Sequence, residues 1–265
     1  MEVQDLYIYP IKSLGGIRLN TSTAFIKGFQ WDRRWMLVDH AGKFMTQRSL
    51  HIMALLQVEL TDQGLTVHHK HHPDQQISVP FTPETDHFME VEIWDDVVLG
   101  QKVKPEIDQW FSKMLDMPCH LVFMPENTNR SIKEKYAVHD ETVSFADAMP
   151  YLLISQASLD DLNGRLEHPV PMERFRPNIV VNGCGAFEED QWKSIQIGSC
   201  TFKVTKPCAR CVLTTVDQQT GTKGKEPLKT LSKYRLREKK VLFGQNLIAL
   251  GKGVVKVGDQ LKVLP

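Results

Sequence analysis

The sequence predicts a mainly β protein with a few short helices, and three observations carry that prediction. Short stretches rich in Val, Ile, Leu and aromatic residues, several alternating apolar with polar, recur along the chain, many set off by Gly, Pro, Asp or Asn. The clearest helical spacing is Ile107, Trp110, Phe111 and Leu115, which puts one apolar stripe on a helix over 105–115. A polar, weakly patterned stretch over 125–141 separates two such β-rich halves, so the chain divides into units 1–122 and 123–265.

Composition narrows the function. The 265 residues suffice for one large or two modest domains. Lys plus Arg and Asp plus Glu each number 32, a balance that argues against a nucleic-acid polymer or a membrane surface as partner. Five cysteines, odd in number and scattered, do not suit a disulfide framework and point to a reducing cytoplasm. The first ten residues alternate as a strand should, and neither a signal peptide, an anchor nor a membrane-spanning run is expected.

Taken in order, 3–9 reads as a strand stopped by Pro10. Lys12 and Ser13, with Gly15 and Gly16 behind them, fit a turn that points a lysine, a hydroxyl and backbone N–H groups at an anion; an ordinary hairpin turn fits as well. Asp32 and Arg33 read as a surface ion pair ahead of a strand over 35–38, with a return strand over 44–48. Strands follow over 55–60, 65–69, 76–79 and 89–94. The histidines of 68–72 run into Pro73 and Asp74, and neighbouring strand residues face opposite ways, so they mark a hairpin tip rather than a metal site. Pro105 suits the first turn of the helix, and a strand over 119–123 comes next. A turn at Asp147 leads to a buried strand, and Ser155 caps a helix carrying Leu159 and Leu162 that ends near Asn163 and Gly164.

The second half holds the chemistry. Arg176 and Asn178 lie two apart, so on an extended chain they share a face suited to phosphate; a structural arginine and a turn-closing amide fit equally. A hairpin over 195–198 and 201–204 leads into 207–217, where Cys208 and Cys211 flank Arg210. A nearby guanidinium favours the thiolate, the form that attacks and binds metals, although the spacing alone also suits two inert cysteines. A redox dithiol should open a helix, whereas the β-branched run 212–216 predicts a strand. A structural zinc site needs four ligands, and Cys119, Cys184 and Cys200 form no second pair. A single functional thiolate remains. After a turn over 218–221, the basic stretch 222–240 reads as solvated surface, and β-structure resumes over 242–246 and 254–264 with a turn at Gly258 and Asp259.

The wording of these segments is more specific than their spacing. PCARCVLTTVDQQTG, followed by KEPL (225–228) and LFGQN (242–246), resembles the MOSC domain; YPIKS resembles the start of the MOSC N-terminal β-barrel, and RFRPNIVV a MOSC phrase. The resemblance implies two packed, barrel-like antiparallel β domains with the molybdenum cofactor, Mo-molybdopterin, in the cleft between them. It implies that Cys211 is the metal ligand and the catalytic thiolate. Lys12, Ser13, Arg33 or its neighbour Arg34, Asp147, Ala148, Arg176, Asn178, Ala209, Arg210 and Asn246 would contact the cofactor, and Cys208 would be structural. The implied reaction reduces small N-hydroxylated compounds, N-hydroxylated bases and amidoximes, to amines and amidines. A sulfur-carrier or cofactor-handling role with a persulfide on Cys211 is the alternative, and a pterin-binding module without turnover a third. Some bacterial relatives carry a ferredoxin domain whose cysteines are absent here. The expected electron source is therefore a separate ferredoxin-, flavodoxin- or cytochrome-like protein, steered by the basic segment 223–240.

Overall fold

The computed structural model describes residues 1–265 and is mainly β, with barrel-like antiparallel sheets and three α-helices. The largest sheet has nine strands. Its order is Leu261–Leu264, Ser194–Ile197, Cys200–Ala209, Lys240–Ala249, Tyr151–Ser155, Ile179–Asn182, Glu2–Ile8, Ile17–Leu19, with Leu236–Arg237 paired off Lys240–Ala249. Only Tyr151–Ser155 and Ile179–Asn182 pair in parallel, and helix Gln156–Asn163 makes that crossover. In the first strand a bulge between Val3 and Asp5 resets the alternation, so Val3, Leu6 and Ile8 all reach one core.

Three smaller sheets complete the fold. Trp35–Asp39, Cys119–Phe123, Asp96–Lys102 and Phe88–Ile93 form the four-stranded one. Trp35–Asp39 is buried on both faces: Trp35 and Leu37 enter one core, Met36 and Val38 another. Leu56–Leu60, Gly64–His69 and His72–Pro80 make a meander, and Gly253–Lys256, Thr21–Phe25 and Gly28–Phe29 the last sheet. Helix Pro105–Leu115 buries Ile107, Phe111 and Leu115 as its spacing requires, and Asp116 closes it in the left-handed conformation. Ser155 caps Gln156–Asn163 by accepting the N–H of Ser158.

Four local expectations give way. The run 212–216 is not a strand: Val212–Thr215 coil as a 3-10 turn, because Thr214 and Thr215 bond the carbonyls of Cys211 and Val212 with their hydroxyls (3.0 and 2.7 Å). The return strand over 44–48 reduces to a single bridge between Val38 and Phe44. The basic stretch 222–240 contains helix Leu228–Tyr234, and its Arg235 is buried against Asp190 (2.6 Å), not solvated. The loop 125–141 is not all surface either, since Thr128, Arg130, Ile132 and Glu141 are buried. The histidine run does form a hairpin tip, docked through Lys70 and His71 on the carbonyls of Gln218 and Gln219.

Candidate functional site

The ends of these sheets surround a cavity of about 910 Å³. The turns after Glu2–Ile8 and around Arg33, the 130–149 loop, the chain before Ile179–Asn182 and the end of Cys200–Ala209 all contribute to its wall. Lys12, Ser13, Arg33, Asp147, Ala148, Arg176, Asn178, Ala209, Arg210, Cys211 and Asn246 all line it, although sequence scatters them over more than 230 positions. Eleven lining side chains are Lys or Arg and four are Asp or Glu, so an anion is the ligand this wall favours.

Cys211 stands two residues past the strand Cys200–Ala209 and caps the start of the 3-10 turn. The guanidinium at its sulfur is not that of Arg210. Arg48 Nε donates to Cys211 Sγ at 3.1 Å, whereas Arg210 Nη1 donates to Cys208 Sγ at 3.0 Å and its Nη2 to the carbonyl of Phe175. Arg48 also pairs with Asp147 (2.6 Å) and stacks on Trp94 with its guanidinium 4.5 Å from the ring centroid. No sequence signal announced Arg48, which lies 163 positions from the thiol it serves.

Asp147 binds two cations, Lys12 Nζ and Arg48 Nη2, each at 2.6 Å. Its setting in the wall opposes ionisation, yet the charges of Lys12 and Arg48 outweigh that and hold its carboxyl well below the usual carboxylate range. For Lys12 the balance is reversed: burial pushes the ammonium from 10.5 down to about 8, and Asp147 recovers only part of the loss. Arg130 fixes the loop they share, donating to the carbonyls of Ser144, Ala146 and Asp147 while paired with Asp96.

Arg33, not Arg34, faces the cavity. Arg34 turns away to Glu126 and the carbonyl of Met124. Asp32 and Arg33 are a buried pair at 2.6 Å, not a surface one, and Asp32 also accepts the N–H of Tyr9. The Tyr9 ring has the guanidiniums of Arg33 and Arg176 at 4.5 and 4.1 Å from its centroid. Gly16 permits this cluster, since a Cβ there would lie 2.4 Å from the Tyr9 ring. Arg176 and Asn178 reach the same cavity, but not by strand alternation: Arg176 is left-handed (φ 55°), as are Ser13 (φ 67°) and Arg33 (φ 51°). Three non-glycine residues in this costly backbone region therefore meet at one cavity. Asn178 is spent inside the wall, accepting from Arg33 and Leu152 N–H and donating to the carbonyl of Tyr7.

The MOSC N-terminal beta barrel domain matches residues 1–118 and the MOSC domain residues 140–262. The chain is 35% identical to mitochondrial amidoxime-reducing component 1 of Mus musculus, over 99% of this chain and 82% of that one. The chain belongs to the MOSC family. Mitochondrial amidoxime reducing component 2 of Bos taurus is 34% identical over 98% of this chain and 81% of its own length. Molybdenum cofactor sulfurase of Homo sapiens is 31% identical over 93% of this chain but only 30% of its own length.

In this MOSC protein the cavity has lining that the motifs did not announce. Besides Arg48 and Arg130, it includes Trp94, Lys133, Lys135, Tyr136 and Lys206. Most lie in loops and turns, where periodicity carries no information.

Proposed function

We propose that this MOSC protein binds the molybdenum cofactor and uses it to reduce small N-hydroxylated compounds, amidoximes and N-hydroxylated bases among them. The observation that carries this reading is a half-buried thiol, Cys211, held by Arg48 in the wall of a large cation-rich cavity. The donor set fits the group: a thiol suits a thiophilic metal, and Lys12, Arg33 and Arg176 suit a phosphate. Arg210 Nε is buried in the wall without a partner, a further donor open to a ligand. The names of the amidoxime-reducing relatives support the reaction class.

Lys12 and Arg176 would hold the phosphate, and Arg210 and Asn246 would border the pterin. Bound here, the cofactor would supply two-electron chemistry, converting N–OH, two electrons and two protons to N–H and water. The chain's own part is orientation. Arg48 fixes the Cys211 sulfur, Asp147 fixes Arg48 and Lys12, and Arg130 fixes the loop that carries Asp147. Electrons come from a separate acidic donor protein. Exposed Lys233, Arg237, Lys239 and Lys240 favour this, whereas Arg235 is committed to Asp190 and takes no part. Five free cysteines favour a reducing compartment, the cytoplasm, which fractionation of the native cells checks. No helix is long and apolar enough to cross a membrane.

The test is metal and pterin analysis of protein made in a cofactor-competent host, followed by amidoxime reduction with a chemical reductant. Molybdenum should be near stoichiometric in wild type and Cys208→Ala, and lost in Cys211→Ala. A donor protein should reduce the wild type more slowly as salt rises. Labile sulfur on Cys211 with no metal would instead establish the sulfur-carrier reading.

A further inference from the structure

Three ammonium groups gather on one side of the cavity with no carboxylate to balance them. Lys206 lies on the strand Cys200–Ala209, and its Nζ is 4.3 Å from the ring centroid of Tyr136. Lys135 Nζ lies 4.9 Å from the same centroid, and Lys133 precedes the turn Glu134–Tyr136 that carries the ring. All three line the cavity that holds Cys211. The other inner cations already have carboxylate partners: Lys12 and Arg48 pair with Asp147, Arg33 with Asp32, Arg130 with Asp96. Arg176 and Arg210 donate to main-chain carbonyls. Lys133, Lys135 and Lys206 make no ion pair, and exposed Glu134 in the same turn pairs with none of them. Burial pushes the Lys206 ammonium below its usual value; Lys133 and Lys135 add to this, while Tyr136 and Cys208 oppose it. Like charges held together without a counter-ion form a focused positive field, and an anion relieves it.

We propose that this lysine cluster is a phosphate site, separate from Lys12 and Arg176, and that it selects N-hydroxylated bases in the form of nucleoside monophosphates. The phosphate rests on Lys133, Lys135 and Lys206, and the base points along the cavity toward Cys211. The reach is compatible: Cys211 follows Lys206 by five residues, at most about 17 Å of extended chain, which a lysine side chain and a nucleotide together span. A cavity of about 910 Å³ is near the upper end for small-molecule sites and leaves room beyond a pterin. The anion site stands on the unpaired lysines; only the identity of the reacting base rests on the reductase reading.

Two arms separate these. In the first, binding of cytidine 5′-monophosphate and of cytidine is measured by calorimetry on wild type, on a Lys133→Ala, Lys135→Ala, Lys206→Ala triple variant, and on the matching triple Lys→Arg variant. The nucleotide should bind about tenfold more weakly to the Ala variant and be restored by Arg, with far-UV circular dichroism unchanged. In the second, reduction of N4-hydroxycytidine is compared with that of its 5′-monophosphate. The phosphate form should have a KM about tenfold lower in wild type, and the two KM values should converge in the Ala variant. Equal KM values in wild type, with nucleotide binding indifferent to the lysines, overturn the phosphate site and leave the reductase reading standing. Lysine-dependent nucleotide binding without reduction of either form upholds the site and removes the reductase reading. Lysine substitutions that slow only donor-driven reduction assign the cluster to a protein partner and overturn the proposal.

Discussion

Lys12 is the residue where burial and charge oppose each other most directly. Its pKa falls from 10.5 to about 8 on folding, so between those values the unfolded chain binds the extra proton. Stability contributed by this group therefore rises with pH across that window, while the positive charge offered to a ligand fades. Affinity of the cofactor-free protein for pyrophosphate should thus fall as pH is raised from about 7 to about 9. In Asp147→Asn the lysine loses the carboxylate that raises its pKa, so the fall should begin at lower pH; in Lys12→Met it should vanish. Calorimetric titration at several pH values reads this out, and a flat profile in wild type counts against a charged Lys12 at the ligand. The choice between Arg33 and Arg34 also belongs to this scale. Adjacent arginines are equivalent as sequence; the left-handed backbone at Arg33 and the buried carboxylate of Asp32 separate them.

Elements were legible where pattern and local chemistry agree. Helix Pro105–Leu115 follows its apolar stripe, and Gln156–Asn163 begins at the serine expected to cap it. That cap does more than close a helix: Ser155 Oγ and Ser158 Oγ both donate to Glu189, a fully buried carboxylate with no cation beside it (2.9 and 2.8 Å). Ser155→Ala therefore removes a cap and one partner of a buried charge, and should lower stability by about 2–3 kcal/mol in urea unfolding. A loss below about 0.5 kcal/mol would mean that water replaces the hydroxyl. The failure at 212–216 has the opposite origin. β-Branched residues favour strands on average, but two threonines bonding back to carbonyls three residues earlier close a tight turn instead. That turn sets the direction of Cys211.

At the scale of the molecule the two halves are interlocked rather than stacked in sequence. Strand Glu2–Ile8 pairs with Ile179–Asn182, and Gly253–Lys256 pairs with Thr21–Phe25. One core joins Val3, Leu6, Ile8 and Phe29 to Tyr151, Phe202, Leu247 and Val255. Fragments 1–122 and 123–265 should each fail to fold alone, because each exposes a strand edge and half of that core. Co-expression should restore a soluble complex with native-like circular dichroism and a single gel-filtration peak. A fragment that folds cooperatively by itself would refute the interlocking argument.

The sequence by itself determined the β-rich class, the position of most elements and the set of chemically able residues. These rest on periodicity, capping and motif wording, all of which are local. Tertiary structure alone decided which guanidinium meets which thiol, which of two adjacent arginines enters the cavity, and that Arg235 is buried while three lysines around Tyr136 stay unpaired. The reason is physical. Charge pairing and burial depend on distance in space, and Arg48 and Cys211 are brought to 3.1 Å by sheets whose strands come from both ends of the chain.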